Sequence, residues 1–151
     1  MDDPATRPAP RRLLRRTLDV RAAPDVVWER LARVTEWPSW ALHIASARLE
    51  PPGPLGPASS GTFVLKPGIP TRFAMTDWEP PRRWRWRGGF LWLDVLYDHR
   101  FEPREGGGTR LVLEVEASGP GIATIGRVFA AVYARNLDRA LPRLALVLDA
   151  P

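Results

Sequence analysis

The stretch LDVLYDHRF, residues 93 to 101, holds the side chains whose types and spacing are best suited to chemistry. If this stretch is a strand, Tyr97 and His99 share one face with Val95 and Phe101, and these apolar partners indicate that the face is buried. The stems of Tyr97 and His99 then lie about 6.5–7 Å apart, so one ligand hydroxyl or carbonyl group fits between them. A buried polar group without a partner costs roughly 1–3 kcal/mol, so each side chain needs a hydrogen-bond partner.

Three roles remain open for Tyr97 and His99. Histidine is the usual general acid or base near neutral pH, which makes His99 the candidate catalytic residue. Alternatively, the two side chains anchor a bound ligand, or they form a structural pair satisfied by each other or by water. No acidic residue is placed in the sequence to orient the imidazole, and this argues against catalysis.

The stretch WRWRG has aromatic and basic residues in strict alternation. Aromatics interleaved with arginines are typical of surfaces that stack and hold single-stranded nucleic acid. Period-two geometry argues against that interpretation here, because Trp84 and Trp86 project from one sheet face and Arg83, Arg85 and Arg87 from the other. On a half-buried antiparallel sheet this is an inside and an outside. We therefore predict no nucleic-acid partner.

The connection TEWPSW, residues 35 to 40, places two indoles between elements. Something must cover them, either the core of the domain or another apolar molecule. Trp37 and Trp40 are three residues apart and share a face if the segment is helical. Trp37 is interpreted mainly as packing the domain edge, and Trp40 either packs there or lines a pocket. His43 could reach the same opening or could be a surface histidine.

The composition excludes several classes of site. The chain has no cysteine and two histidines, so disulfides, cysteine-based zinc sites and a histidine-rich metal site are not expected, and we predict no cofactor. The net charge is +5, but all basic residues except Lys66 are arginines, and these are scattered apart from Arg11, Arg12, Arg15 and Arg16 near the start, so basicity alone indicates no partner. No apolar run approaches the 18 residues of a membrane span, and the start lacks the apolar segment of a secretory signal. A cytoplasmic protein is predicted.

The order of elements predicts a single α+β domain over residues 12 to 151, after a flexible tail at residues 1 to 11. A strand at 12 to 21 precedes a helix of about eleven residues that begins near Pro24. One further short helix and a strand follow. The later strands are a short one in GTFVLKPG, two joined at Pro80–Pro81, and a hairpin around the glycine-rich EGGG.

The final segment, from about Ile122 to Leu148, has the helical period. Pro142 is expected to kink the helix or to end one section, because proline removes a backbone donor and clashes with the preceding turn. Tyr133 could turn its hydroxyl group into a cavity or pack its ring on the sheet. The predicted buried stripe consists of Ile122, Ile125, Phe129, Val132 and Asn136, with Leu144 further along.

Four local motifs occur in an order and at spacings that resemble one known group of proteins. They are APDVVWERLARVTEWPSW, DWEPPRRWRWRG, HRFEP followed by GGGTRL, and YARNLDRALPRL. Together they resemble the polyketide cyclase/dehydrase-like group of the START and Bet v1-like (SRPBCC) superfamily over residues 12 to 148. The resemblance implies a helix-grip fold, in which a curved antiparallel sheet wraps a long C-terminal helix and encloses an apolar cavity. Members bind lipids, sterols, polyketides or plant hormones, and some catalyse cyclisation or dehydration.

Three functions follow from this resemblance together with the residues. The first is binding of a hydrophobic small molecule, lipid or polyketide-like, in the internal cavity of a monomer or weak homodimer. The second is a polyketide cyclase or dehydratase that uses the same cavity, with His99 as acid or base. The third is a START-like protein-interaction module whose cavity is filled by its own side chains. The expected pocket residues are Trp40, Phe63, Leu65, Met75, Trp86, Tyr97, His99, Phe101, Phe129 and Tyr133.

Overall fold

The computed structural model describes residues 9–151 and has the predicted helix-grip fold. Seven antiparallel strands form one curved sheet in the order β1-β7-β6-β5-β4-β3-β2. The strands are β1 (Arg11–Val20), β2 (Ile44–Glu50), β3 (Ser60–Leu65), β4 (Ile69–Glu79), β5 (Arg83–Phe90), β6 (Leu93–Pro103) and β7 (Thr109–Ser118). The helices are α1 (Pro24–Leu31), a 3₁₀ helix (Val34–Ser39) and α2 (Ile125–Leu148).

The start of the chain is described only in part. Residues 1 to 8 of the predicted tail lie outside the described residues, and Arg11 is the first residue of β1. The register of β1 against β7 shifts between Arg12 and Leu14, so Leu13 is an extra residue in a β-bulge. Because of this extra residue, the apolar side chains Leu13 and Leu14 are adjacent in a strand that otherwise alternates.

The predicted first helix is shorter than its sequence pattern suggested. α1 begins with Pro24 and Asp25, as expected, but it ends at Leu31 after eight residues. A 3₁₀ helix follows and contains Pro38. Trp37 lies in this helix and Trp40 directly follows it, and their ring centroids are 5.3 Å apart, so the two indoles share a face as predicted.

The C-terminal helix α2 excludes one of the two effects expected of Pro142 and corrects one residue of the predicted stripe. It continues six residues beyond Pro142, so this proline does not end the helix. Pro142 is exposed, and water can solvate the carbonyl group that the missing N–H leaves free. The predicted stripe was also wrong at Val132, which is 58% exposed. The face turned to the sheet instead carries Phe129, Tyr133 and Leu137, which follow one another at intervals of four residues.

Two apolar clusters fill the space between the sheet and the helices. The main cluster joins the tryptophans of α1, the 3₁₀ helix and β5 with the C-terminal half of α2. The second cluster joins β1, β6 and β7 with Phe129 and Leu137 of α2. Five of the seven buried residues of α2 lie at Leu137 or beyond, whereas its first half buries only Gly126 and Phe129. The N-terminal half of α2 is therefore the more lightly packed half.

The outer face of the sheet carries ion pairs across neighbouring strands. The predicted orientation of WRWRG is confirmed, because Trp84 and Trp86 are buried while Arg83 lies on the opposite face and pairs with Asp98 of β6. This pairing is bidentate, at 2.9 and 3.0 Å. On the next strand pair Arg100 donates to Glu114 at 2.8 Å. Pairing of this kind explains how arginines tolerate partial burial on a sheet.

Residues 9–151 contain neither a candidate membrane span nor a candidate metal site. No helix in this range is long and apolar enough to cross a membrane. The same range contains no group of three or more histidine, cysteine, aspartate or glutamate side chains arranged to hold a metal ion.

Candidate functional site

His99 lies at the centre of the sheet and is surrounded by three tryptophan rings. Cross-strand pairing places it directly beside Trp84 of β5. Ring centroids are 4.6 Å away for Trp86, 5.1 Å for Trp84 and 6.1 Å for Trp37. The predicted inward orientation of His99 is thus what the structure has, and the imidazole is 6% exposed.

The surroundings keep His99 uncharged at neutral pH. Burial lowers its pKa to about 4, although the charge of Asp98 and the backbone of Trp84 and Tyr97 act in the opposite direction. Asp98 does not orient the ring, since its carboxylate lies on the outer face and binds Arg83. The backbone groups of Trp84 and Tyr97 lie near the ring, but none of them meets the distance and angle of a hydrogen bond with Nδ1, which is buried and has no such partner among the described residues. The ring is therefore a neutral polar group with unused hydrogen-bonding capacity.

Tyr97 and Tyr133 bring two further polar groups to the space between the sheet and α2. Their ring centroids lie 5.7 Å apart, with Tyr97 on β6 and Tyr133 on the inward face of α2. Burial is the main cause that raises the pKa of both hydroxyl groups above the ordinary range, so both remain protonated at neutral pH. Each can therefore donate and accept a hydrogen bond.

A small cavity of about 30 Å³ separates these groups. A space of this size holds about one water molecule. Its wall is mostly apolar and aromatic, with His99 and the two tyrosines among the few polar groups. The residues around it are Leu31, Trp37, Trp40, Tyr97, Asp98, His99, Leu113, Glu114, Val115, Tyr133, Leu137 and Leu144.

The two indoles of TEWPSW close this space from one side. Trp37 stacks on Phe63 with centroids 5.3 Å apart and contacts Trp40 at the same distance. Its Nε1 donates to the carbonyl oxygen of Leu31 at 2.8 Å, so its polar atom is satisfied in the core. Both indoles thus pack the core and also border the cavity.

The predicted pocket residues fall into two groups. Trp40, Tyr97, His99 and Tyr133 meet at the cavity. The other members lie around it without lining it: Phe63, Trp86 and Phe101 are buried in the main cluster, Leu65 and Met75 pack against that cluster, and Phe129 belongs to the second cluster. His43 is half-buried outside the cavity, and burial lowers its pKa. The interior is therefore filled more completely than the sequence pattern suggested.

Sequence reasoning missed several wall residues, although the signals for them exist. Val115 and Leu113 of β7 are the cross-strand partners of Tyr97 and His99. Their alternation in TRLVLEVEAS places them on the inward face. Leu137 lies four residues after Tyr133 and so shares its helix face.

A larger cleft of about 290 Å³ lies elsewhere, at the β6–β7 turn. It is open to solvent and is bordered by Glu102, Pro103, Arg104, Glu105 and Arg110. Binding sites for small organic molecules are usually enclosed and apolar, with a few polar groups. The interior space, although smaller, has that character, and this cleft does not.

Comparisons with known proteins agree with the fold. Residues 11–149 match the family model described as polyketide cyclase / dehydrase and lipid transport. Uncharacterized proteins of Mycobacterium tuberculosis and Mycobacterium bovis are each 32% identical over 75 residues, which is 50% of this chain and 45% of each relative. The match thus spans less than half the length of these relatives.

Solved structures are similar at low identity. Ara h 8.0201 has a TM-score of 0.70 at 12% identity, covering 93% of this chain and 98% of that one. The Zhui aromatase/cyclase from a Streptomyces species has a TM-score of 0.69 at 19% identity, covering 93% and 94%. A protein from Chromobacterium violaceum has a TM-score of 0.66 at 16% identity, covering 91% and 98%. At these identities the similarity is one of fold.

Proposed function

The chain belongs to the polyketide cyclase / dehydrase and lipid transport family, and from that premise we propose that it binds a hydrophobic small molecule bearing a hydroxyl or carbonyl group. The site is the space between the sheet and α2. The observation that carries the proposal is the buried Nδ1 of His99, which has no hydrogen-bond partner among the described residues and belongs to a ring that borders a cavity with two tyrosines on its wall. Buried polar groups nearly always have a hydrogen-bond partner. A ring nitrogen without one, in a side chain that borders a cavity, is therefore expected to bond to a molecule bound there.

Binding requires the interior to enlarge, because about 30 Å³ accommodates no lipid or polyketide. The N-terminal half of α2 is the element best suited to move, since it buries only two residues. Lightly packed segments open at low free-energy cost. Movement of this half would widen the space beside Tyr133 while Leu141, Leu144 and Leu148 hold the C-terminal half in the main cluster.

The anchoring role can be tested with naphthol and naphthalene, which differ by one hydroxyl group. In the Tyr97→Phe/His99→Phe double variant we expect the affinity for naphthol to fall about tenfold, because one or two hydrogen bonds of about 1 kcal/mol each are lost. Affinity for naphthalene should stay within about twofold. Equilibrium titrations followed by tryptophan fluorescence provide the two dissociation constants.

The matched control is His43→Phe, which makes the same change at a half-buried histidine outside the cavity. It should leave both affinities unchanged. Equal losses for naphthol and naphthalene in the double variant would contradict the anchoring role. Native mass spectrometry of the purified protein, with identification of any molecule released on denaturation, would show the natural ligand class directly.

A filled interaction module is the second candidate, and one observation favours it. Trp37, Phe63, Phe73 and Trp86 form a continuous set of ring contacts at 4.4 to 6.0 Å, in the region that a large ligand would occupy. If neither probe binds the wild-type protein, this candidate replaces the first.

A cyclase or dehydratase in the same cavity would use His99 as a neutral base. Its low pKa makes it a weak acceptor and leaves too little imidazolium to act as an acid at neutral pH. With a polyketide-like substrate, such an activity should show a pH–rate profile that His99→Gln abolishes. Turnover that survives this substitution would contradict the catalytic role.

A further inference from the structure

The β5–β6 turn presents two large apolar side chains to solvent. Leu91 is 69% exposed and Trp92 is 58% exposed. The turn has two residues, between the paired Phe90 and Leu93. Leu91 has φ of 54°, a left-handed conformation that glycine adopts readily and leucine does not. Backbone geometry thus favours glycine at this position, and the leucine side chain instead makes the tip of the hairpin apolar.

The indole nitrogen of Trp92 makes a hydrogen bond within the protein. Nε1 donates to the carbonyl oxygen of Pro120 at 2.6 Å. The ring also lies beside Gly121, in the connection between β7 and α2. What remains exposed is therefore apolar ring surface, held in a fixed orientation.

Two further exposed apolar side chains lie on segments at the same end of the sheet. β4 and β5 are antiparallel, and Phe73 pairs with Gly88. Four residues beyond each of them, towards the β5–β6 turn, Ile69 of β4 is therefore level with Trp92, at the same end of the sheet. Ile69 is 58% exposed. Val128, in the first turns of α2, is exposed to a similar degree. We name the set Leu91, Trp92, Ile69 and Val128 the apolar tip.

Two exposed cations lie on segments at the same end of the sheet as the apolar tip. Lys66 in the β3–β4 turn and Arg127 in α2 are exposed. The carboxylate of Asp94 is paired with Arg87 at 3.1 Å. The first turn of α2 carries no acidic residue, so the positive end of its dipole is uncompensated. The opposite end of the sheet, where β4 and β6 end, carries acidic and basic side chains together: Glu79, Glu102 and Glu105 with Arg82, Arg104 and Arg110.

We propose that the apolar tip binds the surface of an anionic lipid bilayer, with Leu91 and Trp92 inserted at the boundary between headgroups and acyl chains. Tryptophan is enriched at that boundary, and anionic headgroups attract nearby cations. A protein partner fits less well, because a projecting two-residue turn is smaller than the roughly 800 Å² that each side of a stable interface buries. Self-association through the apolar tip also fits less well, because the cations of a second copy of the chain would lie against Lys66 and Arg127 and repel them. The proposal does not rest on binding of a ligand in the interior.

Flotation of the full chain with vesicles tests the proposal. We expect binding to vesicles of phosphatidylcholine mixed with phosphatidylglycerol, and much weaker binding to phosphatidylcholine alone. Leu91→Gly combined with Trp92→Ala should reduce binding to the mixed vesicles at least about tenfold, because most of the inserted apolar surface is lost. Glycine suits the backbone at position 91, and thermal unfolding of the variant verifies that its fold is intact.

The matched control is Leu146→Ala. It removes a leucine that is 76% exposed near the other end of α2, and it should leave vesicle binding unchanged. Raised salt should weaken binding of the wild-type protein. Three results would overturn the proposal: no binding to mixed vesicles, equal binding by the tip variant, or self-association that the tip variant abolishes while vesicles remain unbound. The Tyr97→Phe/His99→Phe variant should still bind vesicles, which separates this test from that of the interior site.

Discussion

Replacing Trp84 with alanine is expected to lower the free energy of unfolding by about 3–5 kcal/mol. Trp84 is fully buried and contacts the rings of Trp28, His99 and Phe101 at centroid distances of 4.8 to 5.1 Å. Alanine would remove the indole and leave a void that rigid aromatic neighbours cannot fill. Urea denaturation at neutral pH, followed by circular dichroism, measures the change.

Trp92→Ala is the matched control, since it makes the same change at an exposed position. It should cost no more than about 1 kcal/mol, which is the typical value of the single hydrogen bond to Pro120. Trp84→Phe should cost less than the alanine variant, because phenylalanine fills much of the space and removes an N–H group that has no partner among the described residues. If Trp84→Ala lowers the free energy of unfolding by less than about 1 kcal/mol, the ring contacts around Trp84 are not a main source of stability.

Acidification is expected to destabilise the protein through His99, beginning at a pH above the range in which carboxylates protonate. In the unfolded chain the imidazole binds a proton near its ordinary pKa of 6.5, whereas in the folded chain the pKa is about 4. Between these values the unfolded state binds more protons, so stability falls as the pH falls through this window. The full effect is about 3 kcal/mol, and it can be measured by urea denaturation between about pH 7 and pH 4.

His99→Gln should remove most of this pH dependence, and His43→Gln should retain most of it. The arginine partners of Asp19 and Asp138 lower the pKa of these carboxyl groups, so the stability they contribute is lost only below the window. A pH dependence that is unchanged in His99→Gln would contradict the burial of a neutral imidazole.

Strand periodicity was the part of the sequence that predicted the site best. The alternation in WRWRG and LDVLYDHRF correctly placed Trp84, Trp86 and His99 inside, because a side-chain period of two separates the faces and the apolar neighbours identify the buried one. The same logic extends across the hairpin to Leu113 and Val115. These residues could have been predicted once the β6–β7 register was fixed.

The volume of the interior could not be predicted in this way. It depends on how the rings of Trp37, Phe63 and Trp86 interlock, and a sequence pattern specifies which face they occupy but not their rotamers. The error at Val132 has a different cause. Its spacing from Phe129 fits one helix face as well as that of Tyr133 does, and only the packing of α2 on β6 selects between them.

The bulged strand β1 has a consequence for the behaviour of the chain at high concentration. β1 is an edge of the sheet, and an unpaired edge is a template on which a strand of another molecule can add. Arg11, Arg12 and Arg15 are exposed along it, so two such edges brought together would oppose like charges. The extra residue at Leu13 interrupts the regular row of donors and acceptors. The exposed arginines of β1, together with its bulge, thus disfavour edge-to-edge pairing of the sheets of two molecules.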